Sequence, residues 1–258
     1  AFHGRTMGAL SCTPNPKYQD PFAPLLPGVS VSAYNDVEAL EKALAGDVAG
    51  VIVEVVQGEG GLAAMTPEFA RALNEGCRKH DAILVADEVQ TGLARTGTFY
   101  ASEAVGLEPD IITLAKPLAG GLPLSAALLP AKVDNLLHVG DHGTTFGGGP
   151  VTTAVALKVW DIVSQPSFEQ EVKAKGAYLG ELLEALRARH GAVREVRGRG
   201  LLRGFSYTGD VAALVTTLQE KGLLVLRSGA DAVRIAPPLV ITKEEIAEGV
   251  RIIEEALA

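Results

Sequence analysis

Three short runs of apolar, mostly β-branched residues recur through the first half of the chain, at Gly50–Val56, Ala82–Ala86 and Ile111–Ala115. Runs without polar alternation are typical of strands that are buried on both faces of a parallel sheet. A helical stretch separates the first two runs, and it opens at 66–68 with a capping Thr, then Pro and Glu. This alternation predicts βαβ units and an α/β fold with a mainly parallel sheet.

The regions around these runs differ in character. Five prolines in the first 35 residues rule out a long helix there and predict an extended loop, which a helix over Val37–Ala45 follows. Beyond the third run, the patterns predict helices and short strands over 151–164, 168–190, 201–207, 223–226, 232–235 and 244–257. A capping box of Thr242 and Glu245 opens the last helix. We expect a large domain over residues 1–165 and a small C-terminal α+β domain over residues 166–258.

Charge and cysteine content exclude several classes of protein. The 31 acidic residues outnumber the 23 basic ones, and no lysine- or arginine-rich run appears, which argues against a broad nucleic-acid surface. No apolar run reaches the length of a membrane-spanning helix. Cys12 and Cys77 are too few for a disulfide framework or a zinc site, and we interpret them as free thiols of a cytoplasmic protein. Glycines beside His138 and His142 argue against a helical metal-binding pair, so we expect no metal.

Polar residues stand where the three predicted strands end. Glu54 lies in the first run and Asp87 directly follows the second, whereas Lys116 follows the third and precedes two glycines. In open parallel sheets, ligands bind in the crevice outside the carboxyl ends of the strands. The sequence therefore predicts a site at this edge, although Glu54 could equally be a buried structural acid.

Lys116 and Asp87 suggest one particular chemistry. A partly desolvated lysine favours its neutral amine, which can form a Schiff base with a carbonyl, and a neighbouring carboxylate can hold a protonated pyridine nitrogen. Pyridoxal phosphate needs both partners. The alternatives are a strand-end lysine that reaches for water and an acid that caps a helix or a turn.

Six sequence blocks, in order, resemble the class III pyridoxal-phosphate-dependent aminotransferases. They are AFHGRT at 1–6, VQGEGG at 56–61, DEVQTGLARTG at 87–97, DIITLAK at 110–116, HGTTFGG at 142–148 and VRIAPPLVIT at 233–242. The match is closest to the acetylornithine/ornithine group, which includes lysine-biosynthesis enzymes whose substrate is linked to a carrier protein. The resemblance implies the fold type I architecture of aspartate aminotransferase, with a mainly parallel sheet and a small C-terminal α+β domain.

The resemblance also implies how pyridoxal 5'-phosphate would be held. Lys116 would bind the cofactor and move the proton, and Asp87 would pair with the pyridine nitrogen. Gln90 would contact the phenolic oxygen, and Phe2 and Val89 would enclose the ring. Thr145 would bind the phosphate that belongs to the other subunit of a homodimer.

For the substrates, the resemblance implies two arginine sites. Arg234 would bind the α-carboxylate of glutamate or 2-oxoglutarate, and Glu59 would pair with Arg234 when the amino group arrives on a side chain. Arg5 would bind the carboxylate of the acylated diamino acid. Guanidinium groups match planar carboxylates bidentately, which suits a reaction with two carboxylate-bearing substrates. Taken without the resemblance, surface ion pairs would be the favoured interpretation of both arginines.

Some features depart from the family pattern. Val55 stands where proline is usual, Pro117 replaces a small residue after the lysine, and Gly149 replaces asparagine. The family's phosphate-binding turn would lie upstream of Phe2, and we expect the chain to be the C-terminal portion of a longer protein. The leading hypothesis is a transaminase of arginine or lysine biosynthesis. The alternative is a catalytically incomplete piece or interaction module, and a decarboxylase or racemase is less favoured because of Arg5, Glu59 and Arg234.

Overall fold

The computed structural model describes residues 1–257. Its helices are α1 (Met7–Ser11), α2 (Pro16–Gln19), α3 (Val37–Leu44), α4 (Pro67–Lys79), α5 (Ala131–Asp134), α6 (Pro150–Val163), α7 (Pro166–Arg189), α8 (Val211–Glu220) and α9 (Lys243–Leu257). Its strands are β1 (Gly50–Glu54), β2 (Ile83–Asp87), β3 (Ile111–Leu114), β4 (Ala126–Leu128), β5 (Val193–Arg199), β6 (Leu202–Tyr207), β7 (Leu226–Ser228) and β8 (Ala232–Ile235). Within residues 1–257, none of the helices has the length and apolarity needed to cross a membrane.

The first sheet has the order β1-β2-β3-β4, and its first three strands are parallel, as the apolar runs predict. Strand β4 is antiparallel to β3 and was not predicted, because its three exposed residues carry no periodic signal. Helices α3 and α4 pack over the sheet through an apolar core that includes Leu40, Phe69, Leu73 and Leu84. The sequence features that start these helices act as expected, since the side chains of Asp36 and Thr66 accept hydrogen bonds from the first-turn backbone.

The second sheet is antiparallel, with the order β5-β6-β8-β7, and α7, α8 and α9 supply most of its apolar core. Strand β5 and helix α8 were missed; the sequence VREVRGR of β5 carries charged residues that hide its strand character. The strand expected at 223–226 lies instead at Leu226–Ser228, because the backbone N–H of Leu223 closes the end of α8 on Leu218. The boundary between a large and a small domain at residues 165 and 166 stays a prediction.

The N-terminal region corrects a further expectation. It contains two short helices, α1 and α2, where the prolines suggested an extended loop. Pro16 occupies the first position of α2, where its missing N–H costs no hydrogen bond, and the side chain of Asn15 caps the helix. The prolines therefore limit the length of these helices without preventing them. At the other end of the chain, Thr242 and Glu245 form the predicted capping box.

Candidate active site

The carboxyl ends of the parallel strands bring three site residues to one edge of the first sheet. Glu54 ends β1 directly beside Asp87 at the end of β2, and Thr113 of β3 is the partner of Asp87 on its other side. Lys116 follows two residues after β3 ends, inside a turn that the backbone N–H of Leu118 closes on Ala115. The side chains that the sequence predicted at strand ends therefore converge, because parallel strands end at the same edge.

Asp87 is buried and firmly held. Nδ1 of His3 lies 2.7 Å from Oδ2 of Asp87, while the backbone N–H of Val89 and the hydroxyl of Thr113 donate to Oδ1 at 3.1 and 3.3 Å. The His3 side chain is only 3% exposed. Sequence reasoning did not assign His3 a role, although it stands beside Phe2 in the first resembling block. Such a fixed carboxylate, oriented by an imidazole, is suited to hold a cationic group at the strand ends.

Lys116 offers the reactive amine of the site. Within residues 1–257 its side chain makes no hydrogen bond and no ion pair shorter than 4 Å, and the residue is exposed. Although the residue as a whole is exposed, the protein atoms around its amine partly desolvate it and lower the pKa of Lys116, and the positive charge of Arg234 lowers the pKa further. The carboxylates of Asp87, Glu54 and Glu59 oppose this shift in pKa. The neutral, nucleophilic form of this lysine is therefore more accessible than that of an ordinary surface lysine.

Glu54, whose role the sequence left open, connects two segments around the site. Its carboxylate accepts hydrogen bonds from the backbone N–H of Phe2 at 2.9 Å and from that of Gly58 at 3.0 Å. Burial raises the pKa of Glu54, and these two N–H donors partly offset the rise in pKa. The residue thus anchors the start of the chain to the glycine-rich segment 57–61.

Arg234 reaches the site from the second sheet. It lies on β8, is buried, and donates from one nitrogen to Glu59 at 2.6 Å and to the backbone oxygen of Gly58 at 2.7 Å. Gln90 Oε1 lies 3.4 Å from the same nitrogen. The pairing of Glu59 with Arg234 is therefore present in the structure, across 175 residues of sequence.

A second link, which the sequence did not reveal, fixes the same glycine segment. The hydroxyl of Ser228 on β7 donates to the backbone oxygen of Gly58 at 2.8 Å and accepts from the backbone N–H of Gly61 at 2.9 Å. Ser228 is buried. Strand-end residues of the first sheet and residues of the second sheet thus form one site between them.

The remaining residues implied by the resemblance lie at the margins. Phe2 and Val89 are half-buried next to Glu54 and Asp87, respectively, whereas Arg5 is exposed. Thr145 lies in the exposed segment 135–148, and within residues 1–257 no hydrogen bond joins it to the other site residues. Among the described residues, the structure therefore shows no contact of this kind between Thr145 and the site.

The three departures from the family pattern cause no visible disruption. Pro117 lies within the turn that contains Lys116, and the backbone oxygen of Pro117 accepts from Gly120. Gly149 is the N-cap of α6 and provides no side-chain cap. Val55 is fully buried and its backbone oxygen accepts from Met65. Among residues 1–257, no cluster of side chains suited to a metal ion is present.

A cavity of about 750 Å³ borders the site. Its lining includes the segment 28–32 and β1, and it shares His3 and Glu54 with the site. The reactive groups Lys116 and Arg234 do not line it. The cavity therefore lies along β1, the outermost strand of the first sheet, and away from the reactive groups at the carboxyl ends of the strands.

Comparisons with known proteins agree with this geometry. The family described as "Aminotransferase class-III" matches residues 1–257. The mitochondrial acetylornithine aminotransferase of Neurospora crassa is 44% identical over 99% of this chain and 56% of its own length. The acetylornithine aminotransferase of Bacillus subtilis is 43% identical over 100% of this chain and 67% of its own length. The chain thus spans between about half and two thirds of the length of these curated relatives.

Solved structures give the same result. The ornithine aminotransferase of Toxoplasma gondii is 35% identical, with a TM-score of 0.93 over 98% of this chain and 62% of that one. A second structure of the T. gondii protein, with a TM-score of 0.92, is described as holding pyridoxal phosphate at partial occupancy in its active site. The expected fold type I architecture and the resemblance read from the six blocks are confirmed, together with the family's cofactor, pyridoxal phosphate. This chain belongs to the class III aminotransferase family.

Proposed function

We propose that the protein containing this chain is a pyridoxal-phosphate-dependent transaminase. It would move an amino group between glutamate or 2-oxoglutarate and the distal amino or semialdehyde group of an acylated diamino acid, with N-acetylornithine as the first choice. One observation carries the proposal: Lys116, Asp87 and the Arg234–Glu59 pair lie together where the carboxyl ends of the first sheet's strands face the second sheet.

The residues at this edge fit pyridoxal phosphate. Asp87, fixed by His3 and Thr113, is suited to the pyridine nitrogen, and the unbonded amine of Lys116 to the aldehyde. Gln90 would contact the phenolic oxygen, while Phe2 and Val89 would cover the two faces of the ring. When bound, the cofactor supplies an electron sink for the amino-acid carbon that loses a proton.

The chain's own residues then supply the proton transfer. Nζ of Lys116 would take the proton from the substrate carbon that bears the reacting amino group, which is Cα in glutamate and the distal carbon in the diamino acid. It would then deliver the proton to the cofactor's carbon, acting first as a general base and then as a general acid. The pKa of Lys116 is lowered, first by partial desolvation of its amine, and this shift favours the neutral amine that a general base requires. Asp87 would face the ring nitrogen, held in place by hydrogen bonds from the backbone N–H of Val89 and the hydroxyl of Thr113.

Two arginines would bind the carboxylates of the two substrates at different places. In the structure, Arg234 donates hydrogen bonds to Glu59 and to the backbone oxygen of Gly58. The α-carboxylate of glutamate would replace Glu59 in a bidentate pair, whereas a diamino acid that presents its distal amine would leave the Arg234–Glu59 pair intact. The carboxylate of that diamino acid would bind Arg5.

We further propose a homodimer, in which Thr145 binds the phosphate held by the partner. Exposed apolar side chains accompany Thr145 in the same region, and a partner surface would remove them from water; they are Leu136, Leu137, Val139, Phe146 and Val151. This contact is also consistent with the absence, within residues 1–257, of a hydrogen bond between Thr145 and the other site residues of its own chain.

The substrate could be a close relative of N-acetylornithine. The succinylornithine transaminase of Yersinia pseudotuberculosis is 42% identical over 96% of this chain, so an N-succinylated diamino acid is one alternative. Ornithine and a lysine precursor linked to a carrier protein are others. We propose a role in arginine biosynthesis in the cytoplasm and treat lysine biosynthesis as the alternative.

Cofactor binding provides the direct test. We expect visible absorbance when pyridoxal phosphate is added to the purified chain, and borohydride reduction should fix the label on the peptide that contains Lys116. Lys116→Ala should lose the label, whereas Lys158→Ala, which removes an exposed lysine on α6, should keep it. Label on another lysine would refute the assignment. If wild type takes no label, the alternative of a catalytically incomplete piece or interaction module would be favoured.

A further inference from the structure

Among the described residues, Arg5 differs from Arg234, the other arginine of the site, in having no anionic partner. Within residues 1–257, its guanidinium makes no hydrogen bond and no ion pair, and the residue is exposed. A solvated arginine of this kind would ordinarily sample many rotamers, and a ligand that bound it would have to order the side chain. Something other than a carboxylate must therefore orient Arg5 if it is to serve as a binding group.

Tyr18 is in the position to do so. The guanidinium carbon of Arg5 lies 3.6 Å from the centroid of the Tyr18 ring and 5.6 Å from that of Phe2. The rings of Phe2 and Tyr18 meet edge to face, with centroids 6.1 Å apart and an interplanar angle of 87°. Contact with a ring face attracts the cation without using its N–H groups, so the donors of Arg5 stay available for a carboxylate.

Tyr18 is itself held in place by local structure. It belongs to α2, which the side chain of Asn15 caps by accepting from the backbone N–H of Lys17. The amide of Gln19 donates to the backbone oxygen of Leu10 at 3.1 Å and thereby ties α2 to α1. The ring under Arg5 is therefore part of a supported unit, although the helix that carries it has only four residues.

We propose that Tyr18 is a positioning residue that orients Arg5 as the subsite for the carboxylate of the acylated diamino acid. This inference rests on the proposed function, and it adds a residue outside the six resembling blocks. It also predicts selectivity: Tyr18 should matter for the substrate that binds Arg5 and should be irrelevant to glutamate, which would bind Arg234.

Steady-state kinetics of the cofactor-loaded protein test the selectivity. Tyr18→Leu should raise KM for N-acetyl-L-ornithine about tenfold, with kcat and KM for glutamate within about twofold of wild type. Tyr18→Phe retains a ring and should restore KM. Tyr178→Leu is the matched control, because it removes another tyrosine that lies under a cation, 5.4 Å from Lys243 in the C-terminal region. Equal losses for both substrates, or a normal KM in Tyr18→Leu, would overturn the proposal.

A spectroscopic measurement separates this inference from the proposed function. The ring current of Tyr18 should shift the Nε–H signal of Arg5 in the nitrogen–proton spectrum, and the shift should persist in Tyr18→Phe and vanish in Tyr18→Leu. If wild type shows no transamination, titration with N-acetyl-L-ornithine should still move this signal, and more weakly in Tyr18→Leu. An Arg5 signal that neither depends on Tyr18 nor responds to the titration would overturn the inference, whatever the enzyme's activity.

Discussion

The two sides of the candidate site bind their arginines by opposite means. On the side of the second sheet, Arg234 is buried and already bonded to Glu59 and to the backbone of Gly58. On the N-terminal side, Arg5 is exposed, lacks an anionic partner within residues 1–257, and lies over the Tyr18 ring. The difference shows that a carboxylate site can be kept ready in two ways: by an internal competitor that must be displaced, or by an aromatic support that leaves the donors unused.

The carboxylate between these two sides should have the largest effect. Asp87→Asn removes the charge opposite the proposed pyridine nitrogen and weakens the contact with His3. We expect kcat/KM to fall about 10²-fold or more for both substrates, because a preorganised electrostatic partner is lost from the shared part of the site. A fall for only one substrate would show that the two sides do not share this centre. Steady-state kinetics with each substrate provide the measurement.

Replacing Arg234 tests the buried side. Arg234→Leu leaves Glu59 without its donor and leaves the oxygen of Gly58 with only the Ser228 hydroxyl. We therefore expect a loss of about 2 kcal/mol in the free energy of unfolding, measured with urea. KM for glutamate should rise, whereas KM for N-acetylornithine should change little. Unchanged stability would mean that the ion pair contributes nothing beyond what water provides.

Replacing Arg5 tests the exposed side and should have the complementary result. Arg5→Leu should change the free energy of unfolding by no more than about 0.5 kcal/mol, because the guanidinium is exposed. KM for N-acetylornithine should rise about tenfold while KM for glutamate stays constant. A stability loss as large as that of Arg234→Leu would contradict the contrast between the two sides.

The smallest expected effect is a pH dependence at Glu54. Burial raises the pKa of Glu54 in the folded state, so this residue favours folding most when it is protonated. Its contribution to the free energy of unfolding should therefore decline as the pH rises above the unfolded pKa and level off above the folded pKa. In Glu54→Gln this decline should be absent. Urea unfolding of both proteins between pH 4 and pH 8 would reveal it, and parallel pH profiles would refute the assignment.

The parts of the fold that could be predicted are those with a local cause. Strands β1, β2 and β3 are continuous apolar runs, and α3 and α4 begin at side chains that cap their own helices. Because parallel strands end at one edge, the meeting of Asp87 and Lys116 also followed from the sequence. Strand β5 has charged residues and, within residues 1–257, pairs only with β6, so its identity depends on a partner rather than on its own pattern.

The missed site residues depend on contacts over long sequence separations. His3 meets Asp87 across 84 residues, and Ser228 meets Gly58 across 170 residues. A histidine or a serine has many ordinary roles, and no local pattern distinguishes one that will lie beside a distant carboxylate or glycine. His3 belongs to the first of the six resembling blocks. Its role is nevertheless shown only by the distance between His3 and Asp87.

The cavity beside β1 has a consequence for handling the protein in solution. On the side away from β2, β1 has no strand partner within residues 1–257, and the exposed side chains of Val29, Val31 and Ile52 flank the gap. An apolar strand with free N–H and C=O groups is a template on which strands of neighbouring molecules can assemble. We therefore expect concentration-dependent aggregation to start along β1. Ile52→Lys should suppress this aggregation in light-scattering measurements and leave Lys116 and its surroundings unchanged.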